Sequence, residues 1–236
     1  ALASTIRPLG YQPDDISLRL LGPGPECLLG CDLNGGDVLS ALLFGGRISL
    51  LVSASTVLLS ISIGTVAGLL SGFRGGHVDT VIMRSVDLLM AFPGILLALA
   101  IAAAVGPGAS NVVLAITVTG WTSTARLVRS QVLSIREREF VSAAKALGGS
   151  SIRLMFRHIL PAALPVLVVH GTFSLSAVII TEASLSFLGL GVGGEIPTWG
   201  SLLNQGRGVM SEAPFLSIMP GIAISVTVLA LNFVGD

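Results

Sequence analysis

Charge is what this chain has least of. Asp, Glu, Lys and Arg make up 11% of its 236 residues, against about a quarter in ordinary soluble domains. Hydrophobic residues make up 52%, and mean hydropathy is +0.89. That balance excludes a soluble fold with an ordinary surface. Basic and acidic residues number 13 each, so net charge is zero, and no electrostatic case for binding nucleic acid arises. Three histidines and two cysteines do not build a catalytic metal site. No Gly-x-x-x-x-Gly-Lys-Ser/Thr is present, so the chain does not bind ATP through a phosphate loop. His-Glu-x-x-His and Gly-x-Ser-x-Gly are missing too. The glycine cluster Gly189, Gly191, Gly193 and Gly194 follows a helical pattern rather than a strand, so a dinucleotide reading fails on context. There is no initiator Met, signal peptide or early apolar run. Either the mature chain starts outside the membrane or a segment precedes Ala1.

What is present is apolar length. Residues 48–73, 159–181 and 213–235 hold no Asp, Glu, Lys or Arg, and each exceeds or reaches the roughly 20 residues that cross a bilayer. Residues 88–125 are long enough for two crossings, with a Gly-Pro-Gly turn at 106–108. The expected fold is all-α: a polytopic transmembrane helical bundle of five spans, residues 46–236, preceded by an external segment, residues 1–45. Arg126, Arg129, Arg136, Arg138, Lys145, Arg153 and Arg157 gather around one loop, and positive loops stay in the cytoplasm. Alternate threading then puts residues 74–84 and the C-terminus inside. It puts residues 1–45, the Gly106 turn and residues 190–213 outside. Cys27 and Cys31 fall in the external segment, where an oxidising compartment permits a disulfide; two free thiols are the alternative.

Along the chain, Pro8, Pro13, Pro23 and Pro25 punctuate an irregular start. A short amphipathic helix is expected from Asp37. Gly64, Gly68 and Gly72 recur every fourth residue in the first span, a spacing that lets helices pack closely in lipid. The second span, about 79–104, contains Pro93 and should kink there. The third, about 111–129, turns polar in its inner half and should face protein or water. The fourth runs from Pro161 to about Leu188. The fifth covers about 216–234, with Pro220 near its start.

The charged island at residues 136–161 reads as two short helices joined by Gly148-Gly149. In the first, Phe140, Ala143, Ala144 and Leu147 share a face. In the second, Ile152, Met155, Phe156 and Ile159 share one, with Arg153 and Arg157 on another. A cytoplasmic apolar stripe needs a cover: a partner, the chain's own bundle, or lipid headgroups.

This island resembles the EAA motif of ATP-binding cassette importer permeases, which reads Glu-Ala-Ala, a spacer, Gly, a longer spacer and Ile-x-Leu-Pro. Ser142-Ala143-Ala144, Gly148 and Leu160-Pro161 occupy the matching positions, with Ser142 in place of the Glu and His158 in place of the Ile. The His158–Pro161 ending is usual in the dipeptide, oligopeptide and nickel branch. Residues 29–40 (LGCDLNGGDVLS) are similar to that branch's Leu-Gly-Thr-Asp-x-x-Gly-Arg-Asp-Val-Leu-Ser stretch, with Cys31 and Gly36 for its Thr and Arg. Residues 46–50, 182–191 (EASLSFLGLG) and Trp199-Gly200 match as well. The resemblance covers about residues 29–236. It implies the second-type permease subunit of a peptide importer in the bacterial plasma (inner) membrane, with the type I importer fold and a sixth span upstream of Ala1.

By the same resemblance, the loop is a coupling helix seated on an ATPase subunit through Ser142, Ala143, Ala144, Gly148, Ile152, Arg153, Met155, Phe156, Leu160 and Pro161. The implied partners are a homologous second permease subunit, two ATPase subunits or one fused chain, and an external solute-binding protein. ATP and Mg would be bound by the ATPase, and no cofactor by this chain, which would catalyse no covalent chemistry. A nickel permease is the alternative within the branch, and no His, Cys or Met cluster marks a metal route. An ion-driven transporter would use Glu182 and Asp87 as coupling residues, but no inverted repeat is visible. An intramembrane serine enzyme using His170 has no paired motif. Ionisable residues at membrane depth are functional candidates. Asp87 is expected to pair with Arg84 and His170 to be a packing residue. Glu182 is expected either to line the passage or to pair within the protein.

Overall fold

The computed structural model describes residues 16–193 and 197–236; the expectations for residues 1–15 and for Gly194 fall outside them. The regular structure of the described residues is helical, and we number the main helices in chain order. Helix α1, Val38–Arg74, is capped by Asp37, whose Oδ2 accepts from the Ser40 amide at 2.9 Å and its hydroxyl at 2.7 Å. At 37 residues it is roughly 55 Å long, well beyond the roughly 30 Å hydrocarbon thickness. The short separate helix expected from Asp37 is therefore the first turns of α1 itself.

Helix α1 ends at Gly75, and α2, Gly76–Met90, folds back from it. A break at residues 91–93 separates α2 from α3, Gly94–Val105, and the two axes meet at 86°. The sequence predicts one kinked span here. Instead Pro93 stands outside both helices at φ −56° and ψ 121°, an extended setting that cannot continue a helix. Helix α4, Ala109–Ile135, is long enough to cross but carries Arg126, Arg129 and a run of hydroxyl residues. It packs against α1, α2, α3 and the sixth helix, and Thr117, Thr122 and Thr124 are buried in those contacts, while Ser123, Arg126 and Ser130 are exposed.

Past α5, Glu139–Ala146, the chain enters α6, one helix over Ser151–Phe187. Helix α7, Trp199–Arg207, and α8, Phe215–Gly235, complete the bundle. Among the described residues, three helices, α1, α6 and α8, are long and apolar enough to span, or four if α2 and α3 make one broken span. Helix α4, at 27 residues, has the length of the further span that the sequence predicts but a more polar composition than these, and the span predicted to kink at Pro93 is broken into α2 and α3.

The α1–α4 contact is the most extensive between helices of the described residues. A Cβ on Gly64 would stand 2.5 Å from Thr124 Cβ. One on Gly68 would stand 2.6 Å from the Ala125 carbonyl, and one on Gly72 would stand 2.8 Å from Val132 Cβ. The glycine spacing does the work its period suggests, since close backbone approach maximises van der Waals contact where lipid offers no hydrophobic drive between helices.

Each end of the bundle has its own fastening. At one end, Asp79 holds Arg129 in a two-pronged pair at 2.6 Å for each contact and also takes the Ser71 hydroxyl. Arg136 donates to the Gly72 carbonyl at 2.8 Å beside it. At the other end, Thr198 and Ser201 form a reciprocal cap on α7, and the Trp199 indole donates to the Leu42 carbonyl of α1 at 3.0 Å. Cys27 and Cys31 are disulfide-bonded and buried there, so the thiol alternative is set aside. Asp32 folds this segment by accepting from the amides of Asn34 and Gly36, both at 2.8 Å.

Candidate functional site: the loop between α4 and α6

The residues singled out in the charged island assemble at the Arg136 end of the bundle. Glu139 opens α5, which suits the positive end of a helix, and Lys145 sits in its last turn. Its C-terminus is a Schellman turn: the Gly149 amide donates to the Ala144 carbonyl at 3.1 Å and the Gly148 amide to Lys145 at 3.0 Å. Gly148 takes φ +84°, a left-handed setting that other residues resist. Gly149 lies close under Ala144, where a Cβ would approach its carbonyl to 2.8 Å. The Ser150 hydroxyl then accepts from the Arg153 amide at 3.4 Å and starts α6. Both glycines therefore make the turn that the sequence predicts, and Ser150 caps the helix that follows.

The second short helix does not stop at Pro161. Residues Leu154–Ile159 take π geometry and run into Leu160–Phe187 without a break. Pro161 has no amide to give. It sits at the start of the α-helical part, where the wider turns before it accommodate the missing hydrogen bond.

This geometry also splits the apolar stripe predicted for the second helix. Met155 and Ile159 are buried, together with Leu154, against Leu69, Val128, Val132 and Ile135. Ile152 (69% exposed) and Phe156 (52% exposed) face away. In α5 it is Val141 that anchors to the same cluster, while Phe140 and Leu147 are exposed, Leu147 to 90%. Ser142, Ala143, Lys145, Arg153 and Arg157 are exposed as well, and Ala144 and Leu160 are half-buried. The sequence reading missed Val141 and Leu154 because it assigned one face by α-helical period alone. It also missed the brace formed by Asp79, Arg129 and Arg136, whose members lie far apart in the chain. The only local signal was Asp79 in the first turn of α2.

Of the ionisable residues near the bilayer, Asp87 pairs with Arg126 at 2.7 Å rather than with Arg84. The pairing one turn along α2 loses to a residue on the neighbouring α4. His170 shares a hydrogen bond with the Thr124 hydroxyl at 3.1 Å across the α4–α6 contact, as a packing residue would. Glu182 is fully buried inside the subunit. One of its oxygens accepts from the Ser186 hydroxyl at 2.8 Å, and the other has no hydrogen-bond partner.

Comparison with known proteins agrees with this architecture. The family described as the binding-protein-dependent transport system inner membrane component matches residues 64–236. The chain is 44% identical over 215 residues to the glutathione transport system permease protein of Pectobacterium atrosepticum, covering 91% of this chain and 71% of that one. It is 40% identical over 226 residues to the dipeptide transport system permease protein of Alkalihalophilus pseudofirmus, covering 96% and 74%. An inward-facing structure of the MetNI methionine ABC transporter superposes with a TM-score of 0.72 at 20% identity, over 84% of this chain and 94% of that one. An amino acid ABC transporter superposes at 0.64 with 14% identity, over 84% and 92%. At those identities the two structures speak for the fold alone. With the family matching most of its length, and with apolar helices of spanning length on either side of an EAA-type loop, the chain belongs to the inner-membrane permease components of binding-protein-dependent ABC transporters.

Proposed function

We propose that the chain is one of two permease subunits of an ATP-driven peptide importer, and that its 136–161 loop is the seat of an ATPase subunit. The names of its relatives, which concern glutathione and dipeptides, support the peptide class. The observation that carries the docking role is the exposure of Leu147 and Ile152 on a helix pair whose other face is pinned into the core by Val141, Leu154 and Met155. Bare aliphatic groups in water are unfavourable, and a socket on a partner removes them. The pinned face makes the pair a rigid plug rather than a floppy loop. Arg153 and Lys145 at its edge suit an acidic rim on that partner.

In this reading the partners are a homologous permease, two ATPase chains or one fused chain, and a solute-binding protein outside. ATP and its magnesium are held by the ATPase. The permease does no covalent chemistry. Its part is to change between inward-open and outward-open arrangements as the ATPase pair closes.

The test is the double substitution Leu147→Asp and Ile152→Asp in the complete importer. Both side chains are exposed, so the thermal midpoint of the subunit should move little. ATP hydrolysis stimulated by peptide-loaded binding protein should disappear, and ATPase subunits should no longer co-purify. Gly148→Pro should do the same, because proline cannot adopt φ +84°. Stimulated hydrolysis that survives both changes would show that the loop is not the coupling element.

A further inference from the structure

A pocket of about 470 Å³ opens beside the α5–α6 turn, where α1 and α4 end. Its floor is apolar: Val141 and Leu154 are buried there and Phe73 is half-buried. Its wall carries three charges, Arg136, Glu137 and Lys145. Two of them answer each other. Glu137 accepts from Arg136 Nε at 3.0 Å, and Arg136 also donates to the Gly72 carbonyl of α1 at 2.8 Å. Lys145 is left over. Among the described residues no acidic side chain pairs with it and its ammonium makes no hydrogen bond. The hydroxyls of Ser142 and Ser151, which line the same pocket, have no protein partner either.

The departure at Ser142 explains the leftover charge. Ser142 and Lys145 stand three apart on α5, so they are neighbours on its surface. The EAA motif has Glu at the position of Ser142, and a carboxylate there would answer Lys145 from within the same helix. With Ser in that place the pocket keeps one uncompensated positive charge and two hydroxyl donors above an apolar floor.

We infer that this pocket receives the carboxylate of an Asp or Glu side chain from the ATPase subunit, so that the negative charge the motif supplies from the permease comes here from the partner. The inference rests on the reading that the loop seats an ATPase. Leu147 and Ile152, the exposed residues of that seat, follow Lys145 and Ser151 closely in the chain, so a partner that covers them also covers the mouth of the pocket. A carboxylate accepts from the Lys145 ammonium and from the two hydroxyls, a charge-assisted set, and its methylene groups lie on Phe73 and Val141. A basic side chain is repelled by Lys145. An apolar one desolvates Lys145 and leaves it unpaired, which is costly. The pocket therefore selects among ATPase chains by charge as well as by shape.

The experiment uses the complete importer in proteoliposomes. Ser142→Glu and Ser142→Gln introduce side chains of nearly equal size that differ by one charge. ATP hydrolysis stimulated by peptide-loaded binding protein should be about tenfold lower in Ser142→Glu than in Ser142→Gln, because the new carboxylate both takes Lys145 and repels the partner's. A water-soluble carbodiimide, which joins an amine to a touching carboxylate as an amide and takes up the water released, is then applied to the wild-type complex. Mass spectrometry should find Lys145 joined to an Asp or Glu of the ATPase, and Lys145→Arg should abolish that link. Equal or higher hydrolysis in Ser142→Glu overturns the inference, and so does a Lys145 joined only to its own chain. If either result comes with loss of stimulated hydrolysis in Leu147→Asp with Ile152→Asp, the docking role stands and the pocket's role alone falls. Wild-type permease from which the ATPase does not co-purify removes the docking reading, and the pocket's role with it.

Discussion

Helices α1 and α8 have nearly the same mean hydropathy, and both are long enough to span, yet the bundle treats them differently. A third (33%) of the most apolar window of α1 is buried, against 11% for α8. Along α1, glycines at 64, 68 and 72 admit α4 to backbone distance. Along α8, Ile222, Val226, Leu229 and Phe233 stand exposed. At its start α8 is anchored where Gly30 lies under the Phe215 ring and Gly206 against Ser217, and one face of the remainder lies on α6, with the Ser176 hydroxyl donating to the Val228 carbonyl and Gly235 against Thr172. Hydropathy tells which segments can live in a membrane. The placement of small residues tells which of them meet protein there.

The widest gap between the two helices should open on enlarging a side chain. Gly68→Leu would drive carbon into the Ala125 carbonyl and Val128, at a cost of about 3 kcal/mol or more. The mutant should be recovered poorly, with a much lower thermal midpoint in detergent. Val226→Leu on the exposed face of α8 should stay within about 0.5 kcal/mol. Equal losses would mean that α8 is packed as α1 is.

The next effect falls on the anchoring of α8. Cys27→Ser with Cys31→Ser should cost about 2 kcal/mol, at the low end for disulfides because the closed loop is short. The loss should show in limited proteolysis between residues 20 and 40, before any change in α1. The smallest contrast compares two ion pairs near the loop. Asp79→Asn breaks the two-pronged contact to Arg129, whose side chains are 22% and 32% exposed, and should cost about 1.5 kcal/mol. Asp87→Asn breaks a single contact to Arg126 between side chains 55% and 51% exposed, and should cost less than about 0.5 kcal/mol. Thermal midpoints of the two variants, measured in one detergent, check the order.

Much of this was legible in the sequence, and the remainder has identifiable causes. Apolar length gave α1, α6 and α8. The fourfold glycine period gave the face of α1 that meets α4. The spacing from Ser142 through Gly148 to Pro161 gave the loop and its family. Pro93 was visible as an interruption, but the 86° turn that follows depends on where α3 finds its packing partner, α4. The π segment at Leu154–Ile159 carries no local sign and moves side chains off the α-helical period. Ile152 and Met155 therefore part company despite their spacing. The partners of Asp79 and Asp87 sit on α4, dozens of residues away, beyond the reach of any local pattern. Glu182 was left between two roles by the sequence. Its burial beneath the Trp199 end of the bundle makes it part of the packed interior of this subunit.

The unbroken course of α6 has a mechanical consequence. From Ser151 at the loop to Phe187 at the opposite end it is one rod of 37 residues, roughly 55 Å long. It is held along its length: Leu154, Met155 and Ile159 pack against α1 and α4 at one end, Gly171 meets Ile61 of α1 near the middle, and Glu182, Leu185 and Ser186 are buried at the other. A push on Ile152 therefore bears on the α1–α4 seam together with α6, and the bundle takes it up as one block.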